Sequence, residues 1–133
     1  MKLLDTTFLI DYWAGEEAVA SYLSSTPAGT EYVTTAINVK ELAVGRALQD
    51  GDAEAEIRRT FEWVEFVPFA PRHGLLAGSI EADLRSRSSV EEATVRRLAG
   101  DVLIAAVAID LGATVVTRNV ADFERLAVDV ESY

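Results

Sequence analysis

Cysteine is absent from this chain, and histidine occurs once, as His73. The first absence removes disulfides, thiolate zinc sites and cysteine nucleophiles together. The second leaves almost no room for His-based zinc sites or a Ser-His-Asp triad. Lysine is scarce as well: Lys2 and Lys40 stand beside ten arginines. Apolar runs are short. The longest, Val102–Ile109, falls far below the about 20 residues of a membrane-spanning helix and reads as a buried helix. No apolar signal core accompanies Met1-Lys2-Leu3-Leu4-Asp5, so a cytoplasmic protein with no membrane attachment is expected. Chemistry must therefore come from carboxylates, hydroxyls, amides or arginines.

What remains is a chain of 133 residues, 50% of them hydrophobic. That is one domain's worth, spanning 1–133, and enough to bury a core. Acids number 22 against 12 basic residues, a net charge of -10. Alone, this argues against a nucleic-acid binder driven by bulk charge. Acid excess with so little lysine points to adaptation to high salt, where long-range charge is screened and net charge says little about partners.

Strand-like segments alternate with helical ones. Leu3-Leu4 reads as a short buried strand ending in Asp5; Thr6–Trp13 and Glu16–Leu23 read as helices parted by Gly15. Glu31–Thr35 is β-branched and aromatic, a strand. Helical spacing returns over Ala36–Leu48 and Asp52–Trp63, then Val64–Phe69 is a strand and Arg72–Arg85 a helix. Ser86–Ser89 is a polar break, Asp101–Leu111 the apolar helix closed by Gly112, and Ala113–Thr117 a strand. Asp122–Leu126 and Val128–Val130 give a last helix and strand. Helical crossovers between strands imply an α/β fold: a parallel sheet with helices on both faces, a Rossmann-like three-layer sandwich. Such folds bind ligands beyond the carboxyl ends of the strands.

Four acids fall near those ends. Asp5 ends the first strand, where it could equally cap the following helix. Glu41 shares a helical stripe with Ile37, Val44 and Leu48, so a core-facing carboxylate is expected there, to be paired or bound to a cation. Asp101 opens the apolar helix and Asp122 follows the fourth strand; each has a capping alternative. Gathered at one sheet end, the four would repel one another and raise their own pKa values. A hard divalent cation would relieve this, and an all-carboxylate site suits phosphoryl chemistry.

The sequence resembles the PIN-domain family, and within it the VapC-type toxins of toxin–antitoxin pairs. Four blocks in order carry the resemblance: Leu4-Asp5-Thr6-Thr7-Phe8-Leu9-Ile10-Asp11, Thr35 through Glu41-Leu42, Gly100-Asp101-Val102-Leu103-Ile104-Ala105-Ala106, and Val116-Thr117-Arg118-Asn119-Val120-Ala121-Asp122-Phe123. The resemblance implies a metal-dependent endoribonuclease that uses a metal-activated water. Asp5, Glu41 and Asp101 match acidic site positions, with Asp5 and Asp101 holding Mg²⁺, or Mn²⁺ in its place. Many relatives carry Asp where this chain has Asn119, which makes Asp122 the fourth acid. Thr6 matches a hydroxyl supporting Asp5, and Thr117 and Asn119 match polar positions beside the site.

Arg118, adjacent to these residues, is the expected RNA contact; most other arginines are expected on solvated surface, as is His73. The resemblance also implies a homodimer and a VapB-like antitoxin whose tail lies in a groove near the site, among helices carrying Tyr12, Trp13, Tyr22, Phe61 and Trp63. A PIN-fold RNA-processing nuclease outside a toxin pair, or a catalytically silent partner-binding module, are the alternatives. Intact Asp5, Glu41 and Asp101 speak against the silent form. A haloacid-dehalogenase-like phosphatase needs a second Asp at the position of Thr7 and a later lysine, and a receiver domain needs an acidic pair and a lysine; both are excluded.

Overall fold

Five parallel strands form a single sheet in the computed structural model, which describes residues 1–133. In chain order the elements are β1 (Lys2–Leu4), α1 (Thr6–Ala14), α2 (Glu17–Ser25), β2 (Tyr32–Thr35), α3 (Ala36–Ala47), α4 (Ala53–Thr60) and β3 (Glu65–Val67). There follow α5 (Pro71–Ser86), α6 (Glu92–Arg97), α7 (Ala99–Leu111), β4 (Thr114–Val116), α8 (Val120–Glu124) and β5 (Val130–Glu131). The spatial order is β3-β2-β1-β4-β5. The expected α/β sandwich is therefore the observed one.

Period-two alternation assigns the two faces. Leu3, Val33, Val67 and Val115 pack with α5 and α7 through Ala77, Leu84, Ala105 and Ala108. Their strand neighbours Leu4 and Val116 turn the other way, against Phe8, Leu9, Val19, Leu42, Ile57 and Phe61 from α1 to α4. Helix α7 carries the deepest stretch, with Ile104 through Val107 fully buried. Gly112 ends it with a left-handed φ of 62°, its N–H reaching back to the α7 carbonyls. No helix is long and apolar enough to cross a membrane.

Element boundaries follow the sequence reading closely, with three corrections. The segment before α7 contains a short helix, α6, that was not expected; its small apolar contribution is Val95. Helix α7 begins at Ala99, which puts Asp101 in its first turn and not at its cap. His73 is fully buried, not on the surface. Pro71 opens α5 two residues earlier, and His73 Nδ1 reaches back to accept the Ala70 N–H at 2.9 Å while Nε2 meets Asp110 Oδ2 at 2.8 Å. The ring thus satisfies the backbone N–H just before the helix, the bond that the third helical residue makes in a capping box.

Because Ile104 has no exposure and Ile109 on the same helix is 38% exposed, Ile104→Ala should cost about 2–5 kcal/mol in urea unfolding. Ile109→Ala should cost markedly less.

Candidate active site

Strands β2 and β3 lie to one side of β1, and β4 and β5 to the other. The direction of winding reverses between β1 and β4, and folds of this kind bind ligands in the crevice beyond the carboxyl ends at such a point. The register pairs Leu4 with Val116, so the next residues, Asp5 and Thr117, stand side by side at the crevice. Thr117 Oγ1 donates to Asp5 Oδ2 at 2.7 Å.

Asp5 occupies the cap position of α1 but makes no capping hydrogen bond. Its carboxylate, 3% exposed, turns into the crevice. Thr7 Oγ1 also donates to Oδ2 at 3.1 Å, and Asn38 Nδ2 donates to Oδ1 at 3.3 Å. A carboxylate has about four acceptor sites, and neutral donors fill three of them. Asn38 is itself fixed by a reciprocal cap at the end of β2: Thr35 Oγ1 accepts the Ile37 and Asn38 N–H groups, and Thr35 N–H and Oγ1 donate to Asn38 Oδ1. Sequence reasoning missed Thr7 and Asn38. The Thr-x-x-Asn spacing of a capping box was the signal for the second.

Glu41 reaches the same crevice by a different route from the one expected. Val44 and Leu48, its supposed stripe partners, are 48% and 81% exposed. The face of α3 that packs inward is that of Asn38 and Leu42, and Glu41 lies at its edge, half-buried. Thr6 Oγ1 donates to Glu41 Oε2, and Asn38 Nδ2 donates to Thr6 Oγ1 at 2.9 Å. Thr6 thus supports Glu41; the expected link to Asp5 runs through Asn38. The other carboxylate oxygen, Oε1, would lie only 3.3 Å from a Cβ built on Gly100. A glycine there lets Glu41 come up against the start of α7, one residue from Asp101.

Asp101 has no hydrogen-bond donor from the protein side chains around it. Its carboxyl is pushed up to about 7, first by burial and then by the charges of Asp5, Asp122 and Glu41, with Arg97 pulling the other way. A helix N-terminus favours an anion by only about 0.3–1 kcal/mol, and here burial and three like charges outweigh it. Asp122 lies in the first turn of α8 and is held by Arg97 Nη1 at 2.8 Å. Asn119 is exposed; its backbone N–H donates to Thr117 Oγ1 at 3.0 Å, and its side chain forms no bond within the site.

The four acids are thus brought near one another at one end of the sheet. Yet no three of them converge closely enough to form a ready set of metal ligands. Asp5, Glu41 and Asp122 are each drawn toward a separate donor, as repelling carboxylates would be. The donor set is oxygen throughout, and Asp101 has no competing partner. That chemistry fits a hard divalent cation and no soft one.

A family profile, "PIN domain", matches residues 2–129. The chain belongs to the PIN-domain family. Among solved structures, this PIN domain is similar to FitAcB from Neisseria gonorrhoeae, at 26% identity and a TM-score of 0.77 over 98% of this chain and 96% of that one. It is also similar to VapBC-1 from nontypeable Haemophilus influenzae, at 23% identity and a TM-score of 0.75 over 98% and 96%. A third likeness, to DNA-bound VapBC from Salmonella typhimurium, has 22% identity and a TM-score of 0.74, again over 98% and 96%. The last two speak to the fold alone. No curated protein matches the chain.

A groove of about 310 Å³ flanks the PIN crevice between α1 and α3, lined by Ile10, Trp13, Glu41, Leu42 and Arg46 among others. Glu41 is shared between groove and crevice. Arg46 lies over the Trp13 ring, 5.5 Å from its centroid. The remaining aromatics expected near a partner, Tyr12, Tyr22, Phe61 and Trp63, pack with one another and with Phe8, Trp13 and Tyr32.

Asp101 binds a proton on folding at any pH between its ordinary 3.8 and about 7. Stability without divalent cations should therefore fall as pH rises through that window and stay low above it. Thermal melts in chelator at about pH 5 and about pH 8 check this. Asp101→Asn should flatten the fall and melt higher than the parent protein at the upper pH.

Proposed function

We propose that this PIN domain is a metal-dependent endoribonuclease toxin, held silent by an antitoxin protein. The observation that carries the reading is the end of the sheet between β1 and β4, where Asp5, Glu41, Asp101 and Asp122 gather and only Asp122 has an arginine partner. An RNA phosphate could not approach such a cluster without a cation. Asp5 and Asp101 would hold Mg²⁺, or Mn²⁺ in its place, with Glu41 and Asp122 around them. When bound, the ion supplies charge neutralisation at the phosphate and a more acidic water at neutral pH.

The chain's own residues supply orientation. Thr117, Thr7 and Asn38 fix both oxygens of Asp5, so ordering the carboxylate costs nothing further when the site fills. Thr6 fixes Glu41 through Oε2, which leaves Oε1 to accept the proton of the attacking water. Arg97 keeps Asp122 at the margin and tempers the charge of the cluster. Arg118 receives a phosphate beside the scissile bond. With the single histidine buried on α5, no imidazole pair is at hand for attack by the ribose 2′-OH. Products with 5′-phosphate and 3′-hydroxyl ends follow from attack by water.

An antitoxin partner is supported by the resemblance to VapC-type toxins in the sequence and by the chain's likeness to FitAcB. The groove between α1 and α3 is the natural seat for its tail, since an occupant there would lie against Glu41.

Purified protein should cut total RNA with Mg²⁺ or Mn²⁺ and stop with chelator. Asp5→Asn and Asp101→Asn should each lower the rate at least about 100-fold while the circular dichroism spectrum stays unchanged. Full activity in both variants, or products ending in a 2′,3′-cyclic phosphate, would refute the assignment.

A further inference from the structure

Two residues that take no part in this chemistry converge on Arg118. Asp11 projects from α1 and is only 9% exposed. Its Oδ2 accepts the Tyr133 hydroxyl at 2.7 Å and lies 3.2 Å from Arg118 Nε. Tyr133 packs edge-on against the fully buried Phe8, with ring centroids 4.9 Å apart. Its hydroxyl is pushed up to about 12 by burial and then by Asp11, so it remains a donor at neutral pH. At its other end, Arg118 is tied to the crevice: its backbone N–H donates to Thr7 Oγ1 at 3.2 Å, and Thr7 donates to Asp5.

The guanidinium is therefore paired by charge with Asp11 through its Nε edge while its side chain stays 56% exposed. The two terminal nitrogens have no protein partner. An exposed arginine normally loses much of a phosphate contact's value to the entropy of ordering a long side chain. Fixing Nε on a buried acid removes part of that loss and leaves the fork that suits a pair of phosphate oxygens.

We propose that Asp11, steadied by Tyr133, is a positioning residue that holds the Arg118 guanidinium on the α1 side of the crevice, a helix turn or more from Asp5, to receive an RNA phosphate neighbouring the one at the acids. This rests on the ribonuclease reading. It predicts a sign opposite to simple electrostatics. Deleting a negative charge near the crevice should tighten RNA binding if Asp11 acts by charge alone, and should weaken it if Asp11 acts by holding Arg118.

The test is fluorescence anisotropy of a fluorescein-labelled RNA hairpin with Ca²⁺ in place of Mg²⁺, a hard cation that takes the same oxygen ligands, alongside cleavage of total RNA with Mg²⁺. Arg118→Ala should weaken binding about 10-fold. Asp11→Asn should weaken it about fivefold and Tyr133→Phe about twofold, with KM moving more than kcat. In an Arg118→Ala background, neither change should weaken binding further. Tyr133→Phe keeps the ring against Phe8, so it carries the comparison should Asp11→Asn fail to fold. Binding by Asp11→Asn as tight as the parent's or tighter, or an undiminished loss in the Arg118→Ala background, overturns the positioning role alone. If Asp11→Asn does not fold, a Tyr133→Phe loss that is absent, or that persists without Arg118, does the same. A parent protein that neither binds the hairpin nor cuts RNA overturns the ribonuclease reading and this inference together.

Discussion

Parallel pairing of β1 with β4 is the constraint on which the site depends. It sets Asp5 against Thr117 at the point where the sheet's winding reverses. A slip of one residue would turn Asp5 onto the opposite face of the sheet. The register is secured by apolar burial on both faces, through Leu3 with Val115 and Leu4 with Val116, none of them exposed. The core is thus what aims the carboxylate, and the hydroxyls of Thr7 and Thr117 refine its angle.

Around that point the molecule tolerates an unfavourable concentration of charge. Hydrogen bonds from Thr7, Asn38 and Thr117 offset part of the cost at Asp5, Thr6 does so at Glu41, and Arg97 at Asp122. Asp101 has no such donor, and burial and its neighbours' charges push its carboxyl up. A site short of positive charge is stabilised by whatever brings that charge, which would couple cation binding to folding. On the proposed reading, a chain of net charge -10 engages RNA because the local field would be set by the cation and Arg118, with the distant surface acids screened.

The fold was legible because its signals are local. Short apolar, β-branched and aromatic runs marked the strands, helical spacing and the long apolar run marked the helices, and turn residues marked most boundaries. Asp5 and Asp101 were legible too, since strand ends and a buried helix start follow from that pattern. Glu41 was found by a faulty premise. Its stripe was taken to face the core, but Val44 and Leu48 are exposed, and what puts it at the crevice is its turn toward Thr6 and Gly100 from the middle of α3. Contacts between distant segments left no local trace. Nothing around Tyr133 or Asp11 in sequence says that they meet, and nothing around His73 says that Asp110 lies within reach. Helix α6 was missed because a single buried residue, Val95, is too little to establish a period.

The central claim is that a divalent cation completes the crevice between Asp5 and Asp101. Anomalous diffraction from crystals of this protein soaked in Mn²⁺ tests it most directly. The account predicts one dominant peak within bonding distance of both carboxylates, about 2.1–2.3 Å away, with Glu41 and Asp122 turned toward it. A crevice without a peak in crystals that hold ordered Mn²⁺ elsewhere would contradict it.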